Sequence, residues 1–151
     1  MDIREITDDR RRYMPLLLIG DEQEDMVCRY IDDGKLYVAS VCGVDIAVCL
    51  VTDYSPETVE IKNIAVIPSR QRMGYGREFL YWIHHRYGGR KIIVGTGEVP
   101  STLDFYRSCG YTYSHRIPNF FTDNYDHPII EDGMALNDMV YLTRTAEHSH
   151  K

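Results

Sequence analysis

Residues 59–87 constrain the fold more than any other part of the sequence, because they combine three elements in a fixed order. Residues 59–67 are rich in Val and Ile, which is typical of a strand. A basic turn with Gly74 and Gly76 follows, and apolar residues then recur on one helix face, at Phe79, Leu80, Ile83 and Tyr87. Such a turn leaves backbone N–H groups unpaired at the positive end of the helix dipole. The stretch therefore predicts an anion-binding site.

The length and composition predict one globular domain. The chain has 151 residues, and we assign the domain to residues 1–145 and a flexible tail to residues 146–151. It lacks the run of about 18 apolar residues that a membrane span needs, and its polar first residues do not resemble a secretion signal. The four cysteines show no metal-ligand spacing and are expected to be free, buried thiols. We therefore expect a cytoplasmic protein with no membrane segment and no metal site.

The charge is unevenly distributed along the chain. The formal net charge of −6 argues against nucleic-acid binding. Residues 69–91 nevertheless contain six basic residues and only one acid, Glu78. This basic segment is explained either by a specific anionic ligand or by a solvated basic helix face, and the charge pattern alone leaves both open.

The order of predicted elements indicates a mixed sheet. Hairpins join the early strands and helices join the later ones, which places helices on both faces. The first helix is expected to be interrupted by Pro15, and Ser101 with Asp104 resembles a capping box before a helix at residues 102–108. Residues 118–133 are expected to form a long loop. The predicted strands are residues 2–6, 35–41, 44–53, 59–67, 91–94, 111–117 and 137–144.

Two sequence blocks carry a resemblance to a known family. Residues 71–76, Gln-Arg-Met-Gly-Tyr-Gly, match the pattern Gln/Arg-x-x-Gly-x-Gly/Ala and follow a strand at the expected distance. Residues 105–111, Phe-Tyr-Arg-Ser-Cys-Gly-Tyr, resemble the later Phe-Tyr-x-x-x-Gly-Phe block. Together they resemble the GCN5-related N-acetyltransferase (GNAT) superfamily over nearly the whole chain. The resemblance implies an α/β fold with a central, twisted, mostly antiparallel sheet of about seven strands and helices on both faces.

The resemblance implies acetyl-CoA as the cosubstrate. The exposed strand backbone of Ile64, Ala65 and Val66 would pair with the pantetheine arm. The turn would hold the pyrophosphate through its N–H groups and basic side chains, at Gln71, Arg72, Met73, Gly74, Tyr75, Gly76 and Arg77. A P-loop is excluded because no Gly-Lys-Ser/Thr follows the glycines, and the spacing does not fit a dinucleotide fingerprint.

Tyr106 and Glu60 are the predicted catalytic residues. Tyr106 matches the family tyrosine that faces the thioester sulfur, and a phenol is protonated at neutral pH and can donate a proton. The alternative is an aromatic residue of the core. Glu60 lies six residues before Val66, where several family members carry a catalytic base. The alternative interpretation is that Glu60 is a strand carboxylate that faces solvent. Strand alternation predicts one face with Glu60, Lys62 and Ile64.

Several further expectations concern the acceptor. Residues 117–143 contain five acids and no Lys or Arg, which predicts either a wall for a cationic amine or a solvated loop. Asn63 is a weaker candidate for substrate contact, and Val99 stands where many family members have Asn. His84 and His85 are expected to be exposed.

The predicted function is acetyl transfer from acetyl-CoA to a primary amine of a small molecule by direct attack. A sensing module without turnover and a protein N-acetyltransferase are the alternatives. The resemblance to the family also implies a possible homodimer.

Overall fold

The protein is built around a seven-stranded sheet. The computed structural model describes residues 1–146, so most of the predicted tail, residues 147–151, lies outside the described residues. The strand order is β1-β2-β3-β4-β5-β9-β6, and all neighbours are antiparallel except the parallel pair β4–β5. The sheet strands are β1 (Asp2–Ile6), β2 (Lys35–Val41), β3 (Val44–Ser55), β4 (Thr58–Val66), β5 (Lys91–Gly97), β6 (Thr112–Ile117) and β9 (Met139–Arg144). Strands β7 (Ile130–Glu131) and β8 (Met134–Ala135) form a separate hairpin. The predicted mixed, mostly antiparallel sheet is confirmed.

Helices cover both faces of the sheet, as predicted. One apolar core includes Phe79, Leu80 and Ile83, and the core on the other face includes Leu17 and Ile31. No helix among residues 1–146 is long and apolar enough to cross a membrane. The helices are α1 (Met14–Gly20), α2 (Glu24–Cys28), α3 (Tyr75–Arg86), α4 (Pro100–Ser108) and α5 (Phe120–Asn124).

The sheet opens between β4 and β5. The two strands pair only from Thr58 with Lys91 to Ile61 with Val94, and β5 continues by pairing with β9. At this point β4 carries a bulge, because Leu50 and Val51 of β3 pair with Asn63 and Ile61, which leaves Lys62 between them. The edge of β4 beyond Ile61 is therefore unpaired on the β5 side.

Because of the bulge, the prediction that Glu60 and Ile64 lie on the same face of β4 is wrong. Ile61 packs in the core under α3, and Ile64 packs against the same core, so these two residues share a face despite their odd spacing. Asn63 instead contacts α1, where its Nδ2 donates to Leu17 O at 2.8 Å. Because one extra residue reverses the alternation, Glu60 lies on the α1 face, opposite Ile64.

Three other local predictions were wrong. Pro15 lies in the first turn of α1, where proline needs no N–H partner, and it does not interrupt the helix. Ser101 does not cap α4, because Val99 holds the cap position and Pro100 starts the helix. His84 is buried, with its Nε2 2.9 Å from the Tyr111 hydroxyl.

Residues 118–133 are not one loop. They contain α5 and the strand β7, and the turn Asp132–Gly133 links β7 to β8 with φ angles of 49° and 74°. Two positive φ angles are the signature of a type I′ hairpin turn. Of the four cysteines, Cys49 and Cys109 are buried as expected, whereas Cys28 and Cys42 are exposed.

Candidate active site

A large cleft of about 570 Å³ lies between the open edge of β4, the turn before α3 and α4. Nine of the twelve predicted site residues line it: Ile64, Ala65, Val66, Gln71, Arg72, Gly74, Gly76, Arg77 and Tyr106. Met73 is exposed, Tyr75 packs against the core, and Glu60 is buried elsewhere, so none of the three is among the lining residues. The structure thus brings the two sequence blocks to one cleft.

The turn presents a row of free backbone N–H groups. Arg72 and Gly74 adopt positive φ angles of 61° and 90°, which bend the chain sharply into α3. The first helical bond runs from Glu78 N–H to Gly74 O at 3.0 Å, and within residues 1–146 no N–H of residues 72–77 donates to a backbone acceptor. A Cβ added at Gly76 would lie 3.7 Å from Val66 Cγ2, at the cleft wall. This donor set fits an anionic diphosphate.

Two arginines add positive charge to the turn. Arg77 donates to Ser108 Oγ at 2.8 Å, and its guanidinium lies 5.7 Å from the Phe105 ring centre, so its orientation is fixed. Arg72 is exposed and has no ion pair among the described residues. A bound phosphate would therefore meet one fixed and one mobile cation.

The open edge of β4 presents peptide groups to the cleft. Ile67 N–H donates to Ile46 O on the β3 side at 2.9 Å. The Val66 carbonyl belongs to the same planar peptide unit and points the opposite way, where Gln71 Nε2 donates to it at 2.8 Å. Because peptide groups alternate along a strand, the N–H groups of Ile64 and Val66 also point toward the open edge, while Ala65 is turned toward β3.

Tyr106 lies at the inner end of the large cleft. Its ring packs edge-on against Phe105 and Tyr111, with ring centres 5.3 and 5.4 Å away. Burial, with smaller effects of nearby negative charges, raises the pKa of Tyr106 above its ordinary value, so the phenol stays protonated. Within residues 1–146 its hydroxyl has no hydrogen-bond partner. Tyr106 is therefore placed to donate a proton to a bound group.

A small cavity of about 210 Å³ adjoins the large cleft. It lies in the opening between β4 and β5, and its polar lining includes Lys62, Asn63, Thr96 and Glu131. Five residues line both spaces: Ile19, Gly20, Ile64, Thr102 and Tyr106. A molecule in the small cavity would therefore meet the end of a ligand in the large cleft beside Tyr106.

Glu60 lies close to the small cavity without lining it. Its Oε2 accepts a hydrogen bond from the Tyr141 hydroxyl at 3.3 Å, and its Oε1 lies 3.4 Å from Lys62 Nζ. Burial, followed by the negative charge of Glu60, raises the pKa of Tyr141 to about 12. The Tyr141 ring crosses β5 at Gly95, where an added Cβ would come within 2.9 Å of Tyr141 Cζ.

Asn63 has a structural task that the sequence did not indicate. Its Nδ2 donates to Leu17 O and to the Tyr30 hydroxyl at 3.1 Å, which ties β4 to α1. The Tyr30 and Tyr125 hydroxyls both donate to Asp21, at 3.0 and 2.6 Å, and so extend the network to the segment after α5. Asn63 Oδ1 is buried and lacks a partner within the described residues.

Sequence reasoning missed several lining residues. Thr102 precedes Tyr106 by four positions on α4, so helical periodicity from Tyr106 could have indicated it. Ile19 and Gly20 come from α1, and only the packing of that helix against β4 brings them to the cleft. Residues 1–146 contain no group of three or more His, Cys, Asp or Glu arranged to hold a metal ion.

Comparison with known proteins agrees with this geometry. The family model described as an acetyltransferase (GNAT) domain matches residues 32–113. The chain is 34% identical over 131 residues to the uncharacterized N-acetyltransferase YvbK of Bacillus subtilis (strain 168), with 84% of each chain covered. The match to the family model runs from just before β2 into β6 and includes both sequence blocks.

Two solved structures share the fold at similar identity. An IAA acetyltransferase from Bacillus cereus ATCC 14579 superposes with a TM-score of 0.88 at 32% identity, covering 95% of this chain and 98% of that one. A GNAT family acetyltransferase from Elizabethkingia anophelis with acetyl-CoA bound superposes with a TM-score of 0.89 at 31% identity, covering 95% of this chain and 97% of that one. The chain therefore belongs to the GNAT family, and it is an N-acetyltransferase that uses acetyl-CoA as its cosubstrate.

Proposed function

We propose that the enzyme acetylates a primary amine of a small, cationic molecule by direct attack. The observation that carries this proposal is the small cavity, which meets the large cleft at Tyr106 and is lined by one acid, Glu131, and one base, Lys62. Its volume of about 210 Å³ suits a small acceptor. Glu131 is exposed on its outer side, but partial burial, followed by the negative charges of Glu22 and Asp132, raises its pKa. Closely spaced carboxylates attract an ammonium group and disfavour an acceptor that carries its own carboxylate.

The charge balance of the small cavity supports a cationic acceptor. Lys62 is the basic residue in its lining, and Glu60 lies 3.4 Å from the Lys62 ammonium and offsets its charge. Arg116 is paired with Glu98 at 2.9 Å and with Asp138 at 3.0 Å, so its charge is also balanced. Glu131 has no such cationic partner within residues 1–146. Lys62, Glu60 and Glu131 together therefore leave an excess of negative charge at the cavity.

Most of the predicted residues have a task in this reaction. The N–H groups of residues 72–77 and Arg72 would hold the pyrophosphate, and the free edge at Ile64 and Val66 would pair with the pantetheine amides. The Val66 N–H would polarise the thioester carbonyl. Tyr106 would donate its proton to the departing sulfur as the C–S bond breaks. Glu60, which the sequence predicted as the proton acceptor, does not line the small cavity, and its contact with a lining residue is to Lys62.

A matched pair of acceptors tests the proposal. Thiol release from acetyl-CoA is measured with 1,5-diaminopentane and with 5-aminopentanoate, which carry the same primary amine but opposite second charges. We expect kcat/KM to be at least about tenfold higher for the diamine, since one favourable charge contact contributes roughly 1.4 kcal/mol. Preference for the amino acid, or no turnover with any amine in a wider panel, would contradict the proposal.

A further inference from the structure

Glu131 combines three features that no other carboxylate of the described chain combines. It lines the small cavity together with Tyr106, it has no hydrogen-bond donor or cation in contact, and its position is fixed by a hairpin tied to α4. We infer, on the basis of the proposed amine acceptor, that Glu131 is a catalytic residue that binds the acceptor ammonium and removes its proton.

The hairpin fixes Glu131 relative to Tyr106. Glu131 is the last residue of β7, directly before the Asp132–Gly133 turn. Asp132 Oδ2 accepts a hydrogen bond from Ser101 Oγ at 2.8 Å, and Ser101 lies in the first turn of α4, the helix that carries Tyr106. The proton acceptor and the proton donor are thus held on two elements that are joined directly.

Other carboxylates near the opening are already engaged. Glu98 and Asp138 both pair with Arg116, and Asp21 accepts the hydroxyls of two tyrosines. Glu60 accepts a hydrogen bond from Tyr141 and lies beside the Lys62 ammonium, which repels an incoming cation. Glu131 alone among these groups offers free oxygens to the small cavity.

The groups facing Glu131 favour proton uptake. Glu131 is an exposed residue, but its partial burial raises its pKa, and the negative charges of Glu22, between α1 and α2, and Asp132, on the hairpin, add to this effect. Tyr106 faces it from α4 as a neutral phenol, and the charge of Glu131 contributes to the raised pKa of that phenol. Lys62 lines the cavity from β4 but is paired with Glu60. A carboxylate with a raised pKa is a better general base near neutral pH.

The proton and electron balance of the step is complete. The acceptor R–NH3⁺ gives one proton to the Glu131 carboxylate and becomes R–NH2, and Glu131 then releases that proton to solvent. The nitrogen lone pair forms the new N–C bond while the C–S bond breaks and its electron pair stays on sulfur. Tyr106 gives its proton to that sulfur and takes the second nitrogen proton, so the products are R–NH–CO–CH3, CoA–SH and one H⁺.

The test is the pH dependence of kcat/KM with the best acceptor of the amine panel. Protonated Glu131 cannot accept a proton, so the wild-type rate should fall on the acidic side as Glu131 titrates. The Glu131→Gln variant should lack this fall in rate at low pH, which we call the acidic limb of the pH profile. Its kcat at pH 7 should be lower by about 100-fold, the usual size of a general-base contribution. The difference in kcat between the wild type and Glu131→Gln should become smaller toward pH 10, where amines of ordinary pKa lose their proton without a base from the protein.

Three further variants sharpen the result. Glu131→Asp keeps the charge and should retain the acidic limb at an intermediate rate. Glu22→Gln removes a neighbouring negative charge, lowers the pKa of Glu131 and should move the limb to lower pH. Glu57→Gln, an identical change in the turn between β3 and β4, should match the wild type.

The outcomes separate this inference from the proposed function. An acidic limb that survives in Glu131→Gln but disappears in Glu60→Gln would overturn the inference and return the base to Glu60. A Glu131→Asp variant as slow as Glu131→Gln would also overturn it, because charge would not be the decisive property. A wild type without turnover on any amine would instead overturn the proposed function.

Discussion

The large cleft and the small cavity meet at Tyr106, but the chain builds them in different ways. Most of the large cleft comes from one continuous segment, residues 64–77, which supplies the strand edge, the turn and the helix start. The small cavity collects Lys62, Thr96, Thr102 and Glu131 from four separate elements. The first is therefore a local structure, whereas the second exists only once the sheet and the hairpin are assembled.

The two substrates would therefore be bound by different kinds of protein group. The turn would bind an anion mainly through backbone N–H groups, which side-chain substitution changes little. The small cavity would recognise its ligand through side chains on a bulged strand and on a short hairpin, and each of these can change independently. Acceptor choice can therefore vary while acetyl-CoA binding stays the same.

The largest expected effect comes from Tyr106→Phe, because Tyr106 belongs to both spaces. Removing the hydroxyl leaves the ring packing with Phe105 and Tyr111 intact but removes the proton donor. We expect kcat to fall by about 100-fold, with little change in either KM. Initial rates measured over both substrates check this.

Tyr111→Phe is the matched control for that variant. The Tyr111 hydroxyl lies 2.9 Å from His84 Nε2 inside the core, so its loss should lower the free energy of unfolding by about 1 kcal/mol and leave kcat near the wild-type value. Equal losses of kcat in both variants would show that Tyr106 acts only through packing.

A charge reversal in the turn should affect only the large cleft. Arg72→Glu places a carboxylate where a phosphate would bind, and we expect the Kd for acetyl-CoA to rise at least about tenfold, since a charge-assisted hydrogen bond contributes roughly 1.5–3 kcal/mol. The acceptor KM should not change. Arg70→Glu, two residues earlier and outside the lining, is the control for the change in net charge. Similar weakening by both variants, in calorimetry, would argue against a specific contact of Arg72.

The smallest effect is expected at the tie between the hairpin and α4. Ser101→Ala removes the donor to Asp132 Oδ2, and an exposed hydrogen bond of this kind contributes about 1 kcal/mol, or roughly fivefold. We expect this roughly fivefold loss in kcat/KM for the acceptor, with a smaller change in the Kd for acetyl-CoA, because Ser101 also lines the large cleft. Ser114→Ala on the exposed strand β6 serves as the control. A change confined to acetyl-CoA binding would show that the hairpin does not position the acceptor.

The same contrast explains what the sequence could predict. The turn before α3 follows from glycine, proline and apolar periodicity within a short segment, so it was recognisable without tertiary information. The bulge at Lys62 depends on pairing with β3, and no local signal marks it, so the face of Glu60 was assigned incorrectly. His84 was expected to be exposed because its burial depends on Tyr111, a residue from beyond α4.

Two misassignments had usable local signals. Asp132–Gly133 is a typical pair for a type I′ turn and could have indicated the hairpin, although two-residue strands are too short for periodicity to reveal. Pro100 is well suited to the first position of a helix and competes with Ser101 as the start signal. The position of Glu131 in the small cavity depends on how the hairpin segment packs in the assembled structure, where Ile129 and Leu136 pack in one apolar cluster with Val99 and Asp132 bonds to Ser101.

A crystal structure of the complex with CoA tests the central claim most directly. The account predicts the pyrophosphate on the N–H groups of residues 72–77, the pantetheine along the free edge of β4, and the sulfur within hydrogen-bonding distance of Tyr106 Oη, facing the small cavity. A sulfur directed away from Tyr106, or a pyrophosphate bound outside the turn, would contradict it.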